Sequence, residues 1–295
     1  MKYSIKDKIW DGIILLVLFL ICAIMLYPYL NQLAIAFNDG ADSAMGGITV
    51  FPRAFTLENF RTVFANKSIG RAALISVSRV ILLDIVSISV IFAAAYGLTR
   101  PGLPYKRQIT LFLMIPAYIS AGVIPIYMLY RYLHIINNYM VYILPHVFVF
   151  YYLVIIRSFL QDMPASIEES AKLDGANDFQ ILLHIMVPLS KPVIATVLLW
   201  ISVGAWNDWT TTLMYVTDSK LYPLQYLMMK LVKESEMAQQ MAMEAAMNGT
   251  TVTAQTTSES IKAATLIVTT IPIIMVYPFL QKYFIKGVML GAVKG

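Results

Sequence analysis

The stretch from Met163 to Pro192 holds the residues whose types and spacing most need an explanation. Two adjacent carboxylates, Glu168 and Glu169, precede the small residues Ser170 and Ala171. Asp174, Gly175 and Ala176 follow, and Ile185 and Pro188 close the segment. This set suits ion pairing and close approach of another surface rather than bond-making. No nucleophile, base or metal set converges anywhere in the sequence, as an enzyme would require. His134, His146 and His184 are scattered and match no zinc spacing. Nothing matches the Gly-rich loop that ends in Gly-Lys-Ser/Thr, so any ATP-derived energy must come from another polypeptide.

Local physics predicts how the segment folds. Pro164 suits the first turn of a helix, and Glu168 and Glu169 lie near its positive end. Gly175 supplies the left-handed conformation that ends a short helix. Asn177 or Asp178 caps a second helix, which runs until Pro188 breaks it. The product is a helix–turn–helix too polar to cross a bilayer. Ala165, Ser166, Ser170 and Ala171 permit close approach. Two readings stay open on physics alone, an interfacial connector and a docking element.

The elements around it are apolar. The chain has 295 residues, 59% of them hydrophobic and only 13% charged, against roughly a quarter charged in soluble domains. Six spans are predicted, Ile13–Phe37, Arg71–Leu98, Ile109–Tyr132, Tyr139–Phe159, Pro192–Trp209 and Ala263–Phe284. The first is longer than the ~7–15 residue core of a signal peptide and reads as a retained anchor. Cys22 is the only cysteine, which excludes an internal disulfide and a thiolate cluster. The net charge of +5 comes from basic clusters beside apolar runs, the mark of membrane topology rather than of a nucleic-acid partner. The short loop with Arg100, Lys106 and Arg107 contains no acid, and Lys2, Lys6 and Lys8 precede the first span. Both termini are therefore expected in the cytoplasm of a multi-pass cell-membrane protein.

The expected organisation is an anchor helix and outer loop over 1–70, a five-span membrane core over 71–284 and a cytoplasmic tail over 285–295. The core contains the loop 163–192 and an outer loop, 207–262. That outer loop is Met-rich between Met228 and Met247, as a surface helix or an adaptable partner face would be. Pro116, Pro125, Pro145, Pro272 and Pro278 bend spans around a cavity. Tyr127, Tyr142, Tyr151, Trp206, Asn207, Asp208 and Trp209 stand near them. Aromatic faces with a few polar groups suit sugar rings, and Tyr127, Tyr142, Tyr151, Trp206, Asn207 and Trp209 are the candidate solute contacts. An aromatic belt at the membrane edge is the other reading. Asp84 and Arg79 are mid-span charges that call for a functional role or for pairing to a neighbouring helix or a partner chain.

A resemblance narrows these alternatives. Glu169-Ser170-Ala171, Gly175, Ile185 and Pro188 fall at the spacing of the Glu-Ala-Ala loop of binding-protein-dependent ABC importer permeases, with Ser170 replacing the usual first alanine. The segment Tyr277–Phe284 and the ending Lys286–Gly295 resemble the carbohydrate-uptake branch, similar to the smaller maltose permease subunit and to polysaccharide and oligosaccharide permeases. Leu221–Gln225 and Thr257–Lys262 resemble the same branch. The resemblance implies an all-α, type I importer (MetI-like) core that imports a carbohydrate and carries no enzyme activity of its own. It implies that Glu168, Glu169, Ser170, Ala171, Asp174, Gly175, Ala176, Ile185 and Pro188 couple to an ATPase. Glu169 would be the ionic contact, Ala171 the close-packing position and Gly175 the turn. Val293, Lys294 and Gly295 would form a second contact from the tail. Implied partners are a homologous second permease, two ATPase subunits that hold ATP and Mg, and an extracytoplasmic binding protein. No cofactor is expected on this chain. A permease for a non-sugar solute and an ion-coupled secondary transporter are the rival readings.

Overall fold

The computed structural model describes residues 5–65, 67–247 and 258–292. Among them the chain is helical, and the one extended pairing is an isolated bridge between Asn38 and Phe55. In order, α1 (Ile5–Ala36) is followed by the short α2 (Gly40–Ala44) and α3 (Glu58–Phe64), then by the long α4 (Ile69–Thr99). Next come α5 (Lys106–Tyr118) and α6 (Val123–Tyr132), and two 3-10 turns, Tyr139–Tyr142 and Leu144–His146, leading into α7 (Phe150–Gln161). The polar loop holds α8 (Ala165–Leu173), α9 (Asp178–Ile181), a π-turn at Leu182–Met186 and α10 (Val187–Leu189). The rest is α11 (Lys191–Asn207), α12 (Thr210–Tyr215), α13 (Leu224–Met247) and α14 (Ser258–Ala292).

By length and composition, Ile9–Ala36 and Ile69–Thr99 can each cross a membrane, and three bent helix pairs bring the number to five if each pair is one span. The sixth expected segment, Ala263–Phe284, falls within α14. The expected span Ile109–Tyr132 is not one straight helix, since α5 and α6 meet at 115°. Pro116 lies inside α5, and Gly122, at φ +83°, starts α6 in a conformation that a Cβ would oppose. The second loop helix also departs from expectation. Pro188 does not end it, because the preceding turn widens to π geometry, with the Val187 N–H bonded to the Leu182 carbonyl. The helical path then continues to Leu189 and breaks at Ser190.

Two compact units are present. One comprises residues 1–69 and 228–272. Here Asn59 Nδ2 donates to the carbonyls of Ala36 (3.0 Å) and Asn38 (2.8 Å), tying the end of α1 to α3. Asp42 accepts from Asn38 and Arg53. The Asn38 bond, with Arg53 adding to it, holds its carboxyl below the usual carboxylate range against an opposing desolvation. Thr56 Oγ1 accepts from the Glu58 N–H at the start of α3. On α13, Met237 and Met241 are exposed.

The other unit, residues 70–227 and 273–295, holds the main core. Along α4 the buried positions Ala72, Ser76, Arg79, Leu83, Ser87, Ile91 and Ala95 recur every three or four residues. The opposite side exposes Leu74, Ile81, Leu82 and Ile85. An apolar outer face opposite a partly polar inner stripe reverses the pattern of a water-soluble helix, as burial in lipid requires. Leu83, Ile91, Leu153, Ile156, Val197 and Ile201 interlock α4, α7 and α11. Hydroxyls on the inner stripe reach the backbone. Ser76 Oγ accepts from the Leu224 N–H (2.8 Å), and Ser87 Oγ donates to the Val147 carbonyl (2.7 Å).

Candidate functional site

The polar loop forms a platform whose shape is locally determined. At the end of α8 the Gly175 N–H bonds to the Lys172 carbonyl, and the Ala176 N–H bonds to the Ala171 carbonyl, both at 3.0 Å. These are the two bonds of a Schellman cap, and they need a left-handed residue at Gly175, whose φ is +82°. Two residues later Asn177 and Gln180 form a reciprocal capping box, each side chain on the other's backbone N–H at 2.9 Å. The reversal is thus closed by backbone and caps between Ala171 and Gln180, with Lys172 and Asp178 paired across it at 3.7 Å.

The platform presents one face and anchors the other. Ala171 and Ile181 are buried in the unit's own core, and Ala176 and Ile185 pack against it. Ser170, Asp174, Gly175 and Pro188 are exposed. Glu169 is exposed, whereas its neighbour Glu168 turns inward and makes a two-pronged ion pair with Arg100, just past the end of α4. Arg100 also lies 3.9 Å over the Tyr96 ring and donates to Thr99 Oγ1. The Glu168 bond, the largest influence, raises the guanidinium pKa above its ordinary value. Beneath α8 lies a cavity of about 360 Å³ lined by Thr99, Arg100, Met163, Glu168, Glu169 and Met186. Two large apolar side chains flank the turn and point away from the core. Leu173 is 89% exposed and Phe179 67%.

A second polar cluster sits inside the same unit. Arg79, only 2% exposed, donates to the backbone carbonyls of Ala205 and of Asp208 (2.7 Å) and stands 3.8 Å from the Asp208 carboxylate. It thereby caps the C-terminal end of α11, where carbonyls lack helical partners. Asp208 in turn starts α12 by accepting from the Thr211 N–H (3.1 Å) and Thr210 Oγ1 (2.8 Å). Asp84 accepts from Ser202 at 2.6 Å. Both mid-span charges are therefore bonded to the α11 region of their own chain.

The candidate solute residues are not gathered into one group. Tyr142 is buried under Arg79, with its hydroxyl 3.0 Å from both Thr212 Oγ1 and the Leu221 carbonyl. Tyr127 stacks on Tyr215, Asn207 donates to the Val203 carbonyl, and Trp206 and Trp209 are half-buried. Tyr151 is exposed and belongs to an aromatic trio with Tyr152 and Trp200, centroids about 6 Å apart. Tyr152 and Trp200 also line a cavity of about 110 Å³ with Arg79, Tyr142, His146, Gly204 and Asp208. Sequence reasoning did not select Trp200, Tyr152, His146 or Gly204 for this place. One signal was available, since Trp200, Gly204 and Asp208 are four residues apart and share one helical face. The tail residues Val293, Lys294 and Gly295 lie outside the described residues, as do residues 248–257.

Comparison with known proteins identifies the architecture. The family model described as "Binding-protein-dependent transport system inner membrane component" matches residues 85–289, which include the whole platform. Among curated relatives, the polygalacturonan/rhamnogalacturonan transport system permease protein YtcP of Bacillus subtilis is 32% identical over 290 residues, covering 98% of this chain and all of its own. Protein LplC of the same organism is 34% identical over 274 residues, covering 92% of this chain and 90% of its own. A chain of a bacterial ABC transporter involved in the import of the acidic polysaccharide alginate superposes with a TM-score of 0.84 at 24% identity, over 96% of this chain and 99% of that one. That likeness shows the fold, and it is the all-α permease core the loop motif implied. The chain belongs to the family of binding-protein-dependent transport system inner membrane components, and it is a membrane-embedded transport subunit.

Proposed function

We propose that this chain is one permease subunit of an ATP-driven importer of oligosaccharides, and that the α8–Gly175–α9 platform is where the ATPase docks. The observation that carries the reading is the exposure of Leu173 and Phe179 on either side of the Gly175 turn, with Glu169 beside them. Large apolar side chains rimmed by charge at the polar end of a bundle mark a protein-contact surface. The internal closure of the turn and the Glu168–Arg100 clamp to α4 make the platform stiff. A displacement of the docked ATPase would then pass into α4 and α11 as a rigid-body movement between two states. The chemistry of ATP and Mg belongs to the partner, and this chain receives the mechanical input and supplies part of the solute path.

In this reading the partners are two ATPase copies, a second homologous permease and an extracytoplasmic binding protein. Both termini and the platform face the cytoplasm of a multi-pass protein, and the tail at Val293–Gly295 adds a second ATPase contact. The cargo follows from the relatives' names, which specify polygalacturonan/rhamnogalacturonan and arabinooligosaccharides. Solute would pass the aromatic trio Tyr151, Tyr152 and Trp200, because sugar rings stack on such faces.

The test is uptake of labelled oligogalacturonides and arabino-oligosaccharides by cells that carry the complete transporter. Uptake should stop on ATP depletion and survive an ionophore. Glu169→Ala combined with Phe179→Ala should abolish co-purification of the ATPase while the subunit stays in the membrane. Uptake that followed the ion gradient, or an ATPase still bound to that double variant, would overturn the reading.

A further inference from the structure

We propose that a pocket between the start of α5 and the last turns of α7 binds the phosphate of an anionic phospholipid. The pocket has a volume of about 390 Å³ and is lined by Lys106, Arg107, Thr110, Leu111 and Arg157. Lys106, Thr110 and Arg157 are half-buried and Arg107 is exposed. Lys106 with Thr110, and Arg107 with Leu111, are four residues apart, so both pairs stack along one side of α5. From α7, Arg157 Nη1 donates weakly to Thr110 Oγ1 at 3.4 Å, and its buried Nε has no hydrogen-bond partner among the described residues.

The charge balance distinguishes this pocket from the other basic sites of the unit. Arg79 and Arg100 are each matched by a carboxylate, Asp208 and Glu168. Among the described residues none of Lys106, Arg107 and Arg157 is in an ion pair. Three like charges around one concave space repel, and a buried guanidinium N–H without a partner is costly. An anion with several acceptor oxygens relieves both at once. A phosphate does so with charge-assisted bonds, two of them from one arginine fork.

The surroundings select a lipid over free phosphate. Just beyond the cations along the helices, Leu111, Phe112 and Ile115 of α5 and Val154 of α7 are exposed. Phe112 and Ile115 lie about one and a half to two and a half turns, roughly 8–13 Å, past Lys106–Arg107, the depth at which acyl chains begin below a headgroup. Basic pockets between spans next to such apolar flanks take lipid headgroups. The site is independent of the cargo and of the ATPase contact.

The full chain, purified in mild detergent, is mixed with equimolar phosphatidylglycerol and phosphatidylcholine, and retained lipid is counted by native mass spectrometry. Phosphatidylglycerol should be retained in excess. Lys106→Gln and Arg157→Gln should each lower that preference about fivefold, the size expected for one cation at a membrane surface. Arg157→Lys should keep most of it, and Lys220→Gln, an exposed cation outside the pocket, should leave it unchanged. Lys106→Gln alters a helix-end side chain, so its result stands even if Arg157→Gln fails to fold. Equal retention of the two lipids, an unaltered preference in Lys106→Gln, or complete displacement of the lipid by millimolar inorganic phosphate would each overturn the proposal.

Discussion

The α8–Gly175–α9 platform and the Arg79 cluster are both polar, both in the same unit, and built on opposite principles. The platform is closed by bonds between residues three to five apart, and its outward face is left for something else to touch. The Arg79 cluster joins residues more than 120 positions apart, and its guanidinium is buried. One is a surface device stiffened locally, and the other is an internal clasp that holds α4 to the α11–α12 corner. A polar group in the first costs little if its partner is lost, because water replaces the partner. In the second, the group left behind stays buried.

That difference ranks the substitutions. Arg79→Ala should have the largest effect, about 3–5 kcal/mol, because it strands Asp208 and the uncapped end of α11. It should be read as a lowered thermal midpoint in detergent and reduced membrane levels. Arg79→Lys keeps the charge but not the fork, and should fall between Ala and wild type. If Arg79→Ala were no more harmful than a platform variant, the clasp reading would be wrong.

Next comes the clamp between the two regions. Glu168→Gln should cost about 1–2 kcal/mol, since the pair is charge-assisted but only partly shielded from water. A double-mutant cycle with Arg100→Ala isolates the pairwise part. The guanidinium's folded pKa is raised by Glu168, so its contribution is fully present below the unfolded value and is lost only as pH rises past the folded one. Both values lie far above neutrality, so the coupling energy should not vary through arginine titration between about pH 6 and 9. A change there would point to another group.

Within the platform, Gly175→Ala should cost about 1 kcal/mol through the left-handed backbone alone, since a Cβ at this position meets nothing within 4 Å. Gly175→Asn should cost less, because asparagine tolerates that conformation. ATP-driven uptake should fall in the order Gly, Asn, Ala. Asn177→Ala removes one half of the capping box and should cost about 1 kcal/mol or less. Lys172→Ala should be smallest, within about 0.5 kcal/mol, as its pairing with Asp178 is solvent-exposed.

What could be read from the sequence follows the same division. The turn at Gly175 and a helix cap at Asn177 or Asp178 were legible, because each depends on neighbours along the chain. The roles of Glu168 and Glu169 were not separable that way. They are adjacent and identical in kind, yet a 100° step around the helix sends one to Arg100 and the other to solvent. Trp200 and Tyr152 look like ordinary span residues until α7 and α11 pack side by side. The bend at Gly122 was foreshadowed by Pro116 and Pro125, but its 115° angle was not.

The loop motif's resemblance marked the chain as a transport subunit, and the residues themselves determined a membrane-embedded, all-helical fold with a polar helix–turn–helix between the fourth and fifth apolar segments. Apolar run length and short-range capping report those directly. Only the tertiary structure decided which carboxylate faces a partner, where Arg79 and Asp84 find their bonds, and which aromatics share a cavity. Those outcomes depend on the rotation and register of helices about one another. Many side chains set that packing together, and no spacing within a single segment records it.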